Sequence, residues 1–119
     1  MNIEHTSTSP KVFFDEKNHI FLIEGESYPE NSFEFYKPIF KWFDEVFPTL
    51  DSMELQLKIS YMNSSSVKCI LDIMTILEEA YGTGKNVKIK WFYELENSRS
   101  FELAEDFKED LELPFEVLT

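Results

Sequence analysis

The stretch MELQLKISYMNSSSVKCILDIMTILEEAYGTGKNVKIKWFYE, residues 53–94, has the hydrophobic pattern of a strand, a helix and a second strand. At its beginning polar and apolar side chains alternate, which predicts a strand with one buried and one solvent-facing side. The side chains predicted to face the core are Leu55, Leu57, Ile59 and Tyr61. The alternation returns near the end, where the matching set is Val87, Ile89, Trp91 and Tyr93. Because a strand, helix and strand that share a sheet cross over right-handed, the two strands are predicted to be parallel.

The segment between these strands predicts a helix over residues 67–81. Apolar residues surround much of its circumference, so we expect it to be the most buried helix of the protein. Gly82 and Gly84 follow and favour its termination there. Since both flanking strands keep one polar side, the helices are expected to cover the other side. This predicts a two-layer α/β (α+β) domain.

Towards the N-terminus, two short segments predict a β-hairpin. KVFFD (residues 11–15) and HIFLIEG (residues 19–25) are rich in strand-forming residues. The residues expected to supply the turn are Glu16, Lys17 and Asn18. The loop GESYPENS (residues 25–32) then leads to a helix start.

Helical spacing returns in two further segments. Apolar residues between Phe33 and Phe47 predict an amphipathic helix, in which Pro38 favours either a bend or a later start. A narrow apolar stripe over residues 101–111 predicts a surface helix, and PFEVL predicts a closing strand. The resulting order is ββαβαβαβ, with a mixed sheet of about five strands and helices mainly on one face.

Composition predicts a folded chain with one core. The chain has 119 residues, of which 43% are hydrophobic, although its formal net charge is -12. Residues 1–10 are polar and are predicted to form a flexible N-terminal tail. Residues 11–119 are predicted to form a single domain.

Charge and apolar content limit the expected partners. Acidic residues outnumber basic residues by 23 to 11, so neither nucleic acid nor an anionic membrane surface is expected to bind. No apolar run approaches the roughly 18 residues of a membrane span. The chain has a single cysteine, Cys69, and opens without a signal-peptide pattern, so we expect a cytoplasmic protein.

Groups for catalysis or metal binding are scarce. The only histidines are His5, in the predicted tail, and His19, beside the hairpin turn. Together with Cys69 they lack the spacing of a zinc site. Cys69 has apolar neighbours and is expected to be a small core residue rather than a reactive thiolate. The sequence therefore predicts no enzyme, no metal site and no cofactor.

Three consecutive serines, Ser64 to Ser66, lie where the helix of residues 67–81 begins. Asn63 or Ser64 is a natural N-cap, whose side-chain oxygen accepts a free backbone N–H of the first turn. Capping explains one polar residue and leaves two hydroxyls near the positively polarised end of the helix. Such an end accepts an added phosphoryl group well. From the residues alone, a capped helix start and a phosphorylation site both remain open.

Four segments carry a resemblance to a known family: SYPENS (27–32), YMNSSSVKCILDIMTILEEAYGTG (61–84), VKIKWFYE (87–94) and ELAEDFKEDLELPFEV (102–117). They resemble the SiaC family of bacterial regulatory phosphoproteins. The resemblance implies a fold similar to STAS domains, the anti-sigma factor antagonists. It also implies partner switching, in which a protein kinase phosphorylates one side-chain hydroxyl and a PP2C-type phosphatase removes the phosphate. The unphosphorylated form is then expected to bind and activate a diguanylate cyclase, which raises cyclic di-GMP and favours biofilm formation.

The resemblance also implies which residues act. The phosphorylated position matches Ser64, where a known family member has Thr, and Ser65 and Ser66 remain alternates. Position, rather than the resemblance, indicates the candidates for a partner-binding surface around it, provided that the preceding loop lies at the same end of the sheet: Tyr28, Glu30, Asn31, Asn63 and Lys68. Turn and cap chemistry explains several of these residues equally well.

Two other classes of function remain open. The protein is alternatively an anti-sigma factor antagonist, or a constitutive structural or assembly protein without a phosphorylation switch. The latter would bind through the polar face of the sheet, where Met62 and Phe92 are expected among polar residues. An enzyme would require a pocket with convergent titratable groups.

Overall fold

The computed structural model describes all residues, 1–119, as one sheet with helices packed on it. The strands are β1 (Asn2–Ile3), β2 (Lys11–Asp15), β3 (Ile20–Ser27), β4 (Ser52–Met62), β5 (Asn86–Phe92) and β6 (Phe115–Leu118). The helices are α1 (Ser32–Glu45), α2 (Ser64–Gly82) and α3 (Ser98–Glu109), and a 3₁₀ turn occupies Phe47–Thr49. No helix reaches the combination of length and apolar character that crossing a lipid bilayer requires.

The six strands form a single sheet in sequential order from β1 to β6. β1, β2 and β3 are antiparallel neighbours, whereas β3 to β6 run parallel to one another. Each parallel connection contains one helix and advances by one strand in the same direction. Right-handed crossovers therefore place all three helices on one face of the sheet. The predicted two-layer α/β fold with a mixed sheet is confirmed.

The core lies between the sheet and the helices. In β4 and β5, the buried residues are Met53, Leu55, Leu57, Ile59, Met62, Val87, Ile89 and Trp91. α2 contributes buried Ser66, Cys69, Ile70, Ile73, Met74 and Leu77, a larger set than α1 or α3 contributes. The expectation that this is the most buried helix is confirmed.

One of the six strands, β1 at the N-terminus, was not predicted from the sequence. It lies within the first ten residues, where the sequence predicts a flexible tail, and it pairs antiparallel with β2. The Phe14 N–H donates to the Met1 carbonyl at 3.1 Å, and Ser9 and Pro10 are buried. A strand of two residues is too short to show the alternation from which strands are predicted.

α1 begins at Ser32 and continues through Pro38. The predicted alternative of a start near Pro38 is therefore wrong. Pro38 lacks the N–H that would bond to the carbonyl of Glu34, but both residues are exposed, so water can satisfy that carbonyl. A proline is tolerated here because its position faces solvent.

A bulge near the end of β4 changes which side chains are buried. Gly25 of β3 pairs with Ile59, whereas the next residue, Glu26, pairs with Tyr61, so Ser60 is left without a partner. Gly25 has φ of 125°, a conformation that suits glycine. One extra residue moves every later side chain to the opposite face.

Two sequence predictions are corrected by this bulge. Tyr61, predicted to face the core, is 49% exposed. Met62, expected on the polar face, is buried.

The face of the sheet away from the helices, here called the open sheet face, carries a cluster of charges. Lys88 and Lys90 each place their Nζ atom 3.5 Å from Glu54 Oε1. Burial alone would raise the pKa of Glu54, but the hydrogen bond from Gln56 and the two lysines outweigh it and lower that pKa. Phe92 also lies on this face, where the Lys58 Nζ atom is 5.0 Å from its ring centroid.

Candidate functional site

The candidate site lies where β3 and β4 end and α1 and α2 begin. Ser27, the last residue of β3, is in register with Met62, the last residue of β4. The Asn63 N–H donates to the Ser27 carbonyl at 3.0 Å, which joins the two strand ends. The loop of Tyr28 to Asn31 therefore lies at the same sheet edge as the three serines.

All three helices begin with an asparagine cap followed by a serine. The side chains of Asn31, Asn63 and Asn97 accept from the backbone N–H three residues later, at 2.9 to 3.1 Å. Of the two predicted caps for α2, the structure has Asn63. Such a cap stabilises a helix start by about 1 kcal/mol.

A chain of buried hydroxyls connects α1 to the start of α2. Ser27 Oγ lies 2.7 Å from the Tyr36 hydroxyl and donates to Ser66 Oγ at 2.8 Å. Ser66 Oγ lies 3.1 Å from Ser32 Oγ, which donates to Asn63 Oδ1 at 3.3 Å. We call this series, from Tyr36 through Ser27, Ser66 and Ser32 to Asn63, the hydroxyl chain. No buried side-chain nitrogen or oxygen in the protein lacks a hydrogen-bond partner.

The three consecutive serines occupy different environments. Ser66 is fully buried within the hydroxyl chain. Ser65 is partly buried and donates to Ser32 Oγ at 2.8 Å. Ser64 is exposed, and its hydroxyl has no hydrogen-bond partner in the structure. Structural roles at the helix start therefore account for Ser65 and Ser66, whereas the Ser64 hydroxyl is free.

The N-terminal end of α2 is not neutralised by an acidic residue. α1 has Glu34 in its first turn, whereas α2 has no acidic residue there. The Asn63 cap takes the N–H of Ser66, which leaves those of Ser64 and Ser65 without an intrahelical acceptor. Lys68, one turn further along α2, is exposed. This end of the helix therefore favours added negative charge.

Aromatic side chains lie exposed at the same sheet edge. Tyr28 and Tyr61 are 37% and 49% exposed, and their rings pack edge to face with centroids 5.7 Å apart. Phe33, next to Ser32 at the start of α1, is 54% exposed. Exposed aromatic residues grouped in this way are typical of a protein-binding surface. We call Tyr28, Phe33 and Tyr61 the aromatic surface.

The other predicted surface residues lie in the loop between β3 and α1. Glu30 and Asn31 are exposed. Asn31 also serves as the α1 cap, so cap chemistry accounts for that side chain. Glu30 has no such structural explanation.

Cys69 is buried one turn into α2. Burial raises the pKa of its thiol, and the nearby carboxylate of Asp72 raises it further, against a smaller opposite effect of Lys68. The raised pKa keeps the thiol protonated at neutral pH. The prediction of a small core residue is confirmed.

A groove beside the start of α2 has a cavity volume of about 410 Å³. Its lining includes Tyr61, Met62, Val67, Arg99, Leu103 and Asp106. Neither histidine is among the lining residues, and neither Ser60 nor Ser100 is hydrogen-bonded to the carboxylates of the lining, since the buried Ser100 hydroxyl contacts Trp91 Nε1 and the Ile59 carbonyl. The groove therefore lacks the pairing of a nucleophile with a base that hydrolytic catalysis requires.

Five members of the site were not predicted. They are Ser27, Ser32, Phe33, Tyr36 and Tyr61. The first two lie in SYPENS, and the repeated Asn-Ser helix start was the signal that could have drawn attention to Ser32. Tyr61 was missed because the alternation of β4 does not reveal the bulge.

Comparison with known families identifies the chain. Residues 3–119 match the family model described as SiaC family regulatory phosphoprotein. The chain belongs to the SiaC family. An uncharacterized protein of Pseudomonas aeruginosa (strain UCBPP-PA14) is 36% identical over 118 residues, which cover 98% of this chain and 94% of that protein.

Solved structures of SiaC from Pseudomonas aeruginosa have the same fold. Apo-SiaC aligns with a TM-score of 0.93 at 34% identity, covering 100% of this chain and 98% of that one. A second structure contains the diguanylate cyclase SiaD in complex with its activator SiaC. It aligns with a TM-score of 0.94 at 35% identity, covering 99% of this chain and 98% of the matched chain. The SiaC fold is therefore present here over its full length.

Burial of Tyr36 leads us to predict a pH dependence of folding stability. Burial raises the pKa of Tyr36 from 10.0 to about 12, against smaller opposing effects of the hydrogen bonds with Ser27 and Ser66. The protonated phenol is thus favoured in the folded state. Its contribution to stability is complete below pH 10 and is lost as the pH rises towards 12.

We expect the wild type to lose about 2 to 3 kcal/mol more unfolding free energy over this range than Tyr36→Phe. Urea unfolding at the two pH values measures the difference. Tyr93→Phe, which removes a hydroxyl outside the hydroxyl chain, should behave as the wild type. Equal losses in wild type and Tyr36→Phe would contradict the prediction.

Proposed function

We propose that the protein is a phosphorylation-controlled partner-switching protein whose unphosphorylated form binds and activates a diguanylate cyclase. A protein kinase adds phosphate at Ser64, and a PP2C-type phosphatase removes it. The cyclic di-GMP made by the activated cyclase favours biofilm formation. These enzymes and the protein act in the cytoplasm, where ATP and GTP are available.

The environment of Ser64 is the main support for this proposal. It is the one serine of the three whose hydroxyl is exposed and unbonded. A kinase can reach it without opening the fold, whereas Ser66 is fully buried and Ser65 is held by Ser32. Membership of the chain in a family of regulatory phosphoproteins also supports control by phosphorylation.

Phosphorylation at this position would change the surface that a partner contacts. A phosphate adds about 1.5 to 2 negative charges at neutral pH. Ser64 lies three residues after Tyr61, so this charge would be introduced beside the aromatic surface. A partner that buries apolar area there would have to desolvate the phosphate, which is costly unless a cation pairs with it.

The solved complex of SiaD with its activator SiaC supports a diguanylate cyclase as the effector. The chain matches that activator at 35% identity over nearly its full length. A fold shared at this level supports a shared mode of binding, and it supports a regulatory rather than a catalytic role for this chain.

The test measures cyclic di-GMP formation by the diguanylate cyclase of the same organism. The unphosphorylated protein is expected to bind the cyclase and raise its activity. The phosphorylated protein is expected to bind at least about tenfold more weakly, which corresponds to about 1.4 kcal/mol. Treatment with the phosphatase should restore activation.

Two outcomes would contradict the proposal. Equal affinity of both forms for the cyclase would favour a constitutive assembly protein. Binding to an anti-sigma factor instead of the cyclase would favour an anti-sigma factor antagonist. A heat-inactivated kinase is the matched control for the phosphorylation reaction.

A further inference from the structure

The hydroxyl chain has a direction that follows from counting its hydrogens. Ser27 donates its single hydroxyl hydrogen to Ser66, so the hydrogen between Tyr36 and Ser27 must come from Tyr36. Ser32 donates to Asn63 Oδ1, so the hydrogen between Ser66 and Ser32 must come from Ser66. Every step therefore runs from Tyr36 of α1 towards the cap of α2.

The last acceptor of the chain is also the atom that holds the first turn of α2. Asn63 Oδ1 accepts from the Ser66 N–H at 2.9 Å, and the Ser65 hydroxyl lies 3.2 Å from the same atom. Hydrogen bonds in series strengthen one another when they are buried. Removing the Tyr36 hydroxyl, the first donor, thus weakens the hydrogen bonds that end at Asn63, the residue before Ser64.

We propose that Tyr36 is a positioning residue: through Ser27 and Ser66 it fixes the first turn of α2 and so sets how Ser64 is presented for modification. Tyr36 is fully buried and does not reach the surface. Its effect on Ser64 is therefore exerted through the hydroxyl chain. The part that concerns modification rests on the function proposed above, and the part that concerns the first turn does not.

α3 provides an internal control with a similar start. Asn97 caps the Ser100 N–H at 3.1 Å, and Ser98 occupies the position that Ser64 occupies in α2. Ser100 bonds to Trp91 rather than to the hydroxyl chain. A change that acts through the chain should therefore spare the start of α3.

The first measurement is amide hydrogen exchange in Tyr36→Phe. The Ser66 and Val67 amides are expected to exchange about tenfold faster than in the wild type, whereas the Ser100 and Phe101 amides should be unchanged. Tyr93→Phe is the matched control and should alter neither helix start. No change at α2, or an equal increase at both helices, would overturn the proposal. Ser66→Ala, which interrupts the chain at its centre, should give the same localised pattern as Tyr36→Phe.

The second measurement is the kinetics of phosphorylation. Because the surface that a kinase contacts is unchanged in Tyr36→Phe, KM should stay as in the wild type while kcat falls about tenfold. An unchanged kcat would overturn the positioning role. If no kinase modifies the wild type, the function proposed above fails, and the localised exchange pattern still decides whether Tyr36 positions the first turn.

Discussion

Replacing Ser64 with alanine is expected to abolish phosphorylation of the protein by its kinase. The substitution removes the only unbonded hydroxyl among the three serines and leaves the cap and the hydroxyl chain intact. Because Ser64 is exposed and unbonded, the variant should keep wild-type stability to within about 0.5 kcal/mol. Intact-mass measurement after incubation with kinase and ATP detects the phosphate directly.

Two matched variants make this result specific. Ser98→Ala removes a hydroxyl at the equivalent position of α3, and Ser65→Ala removes the neighbouring one. Both should accept phosphate as the wild type does. Undiminished phosphorylation of Ser64→Ala would contradict the assignment, and loss of phosphate only in Ser65→Ala would move the site by one residue.

Substitutions of Ser64 that block or mimic phosphorylation should also change activation of the cyclase. Ser64→Ala should activate the cyclase whether or not kinase and ATP are present. Ser64→Asp should weaken activation less than phosphate does, since a carboxylate carries less charge and can itself favour the helix start.

The fold was predictable because most of its signals are local. Alternation in β4 and β5 and helical spacing in α2 each extend over enough residues to identify the element and its buried side. The bulge at Ser60 depends on pairing between β3 and β4, so Tyr61 was assigned to the wrong face. β1 is likewise defined by its partner strand and not by its own two residues.

The candidate site was predictable only in part, for a similar reason. Asn63 and Ser64 follow one another, so a capped helix start with a spare hydroxyl can be read from the sequence. The contact between Ser27 and Ser66 joins residues 39 positions apart. Hydroxyl side chains at such separation carry no pattern that predicts their meeting. The structure was needed to explain why the sequence has three serines in a row: two support the helix start and one remains free.

Tyr61 of the aromatic surface is expected to contribute strongly to binding of the cyclase. Tyr61→Ala is expected to weaken binding of the diguanylate cyclase by about 30-fold, which corresponds to the 2 kcal/mol typical of an aromatic residue central to an interface. Tyr61 is half exposed and packs edge to face on Tyr28, so its loss should cost at most about 1.5 kcal/mol of folding stability. Isothermal titration with the unphosphorylated protein measures the affinity.

A comparison with the part of the open sheet face around β2 decides whether the partner docks beside Ser64. Phe13 lies on that face in β2 and is 38% exposed, so Phe13→Ala removes a similar exposed area away from Ser64. If the partner contacts the aromatic surface, only Tyr61→Ala weakens binding. If instead Phe13→Ala weakens binding and Tyr61→Ala does not, the cyclase docks on the open sheet face around β2, away from the aromatic surface. A phosphate on Ser64 would then lie away from that interface, because β3 separates β2 from β4 in the sheet and Ser64 lies just past the end of β4.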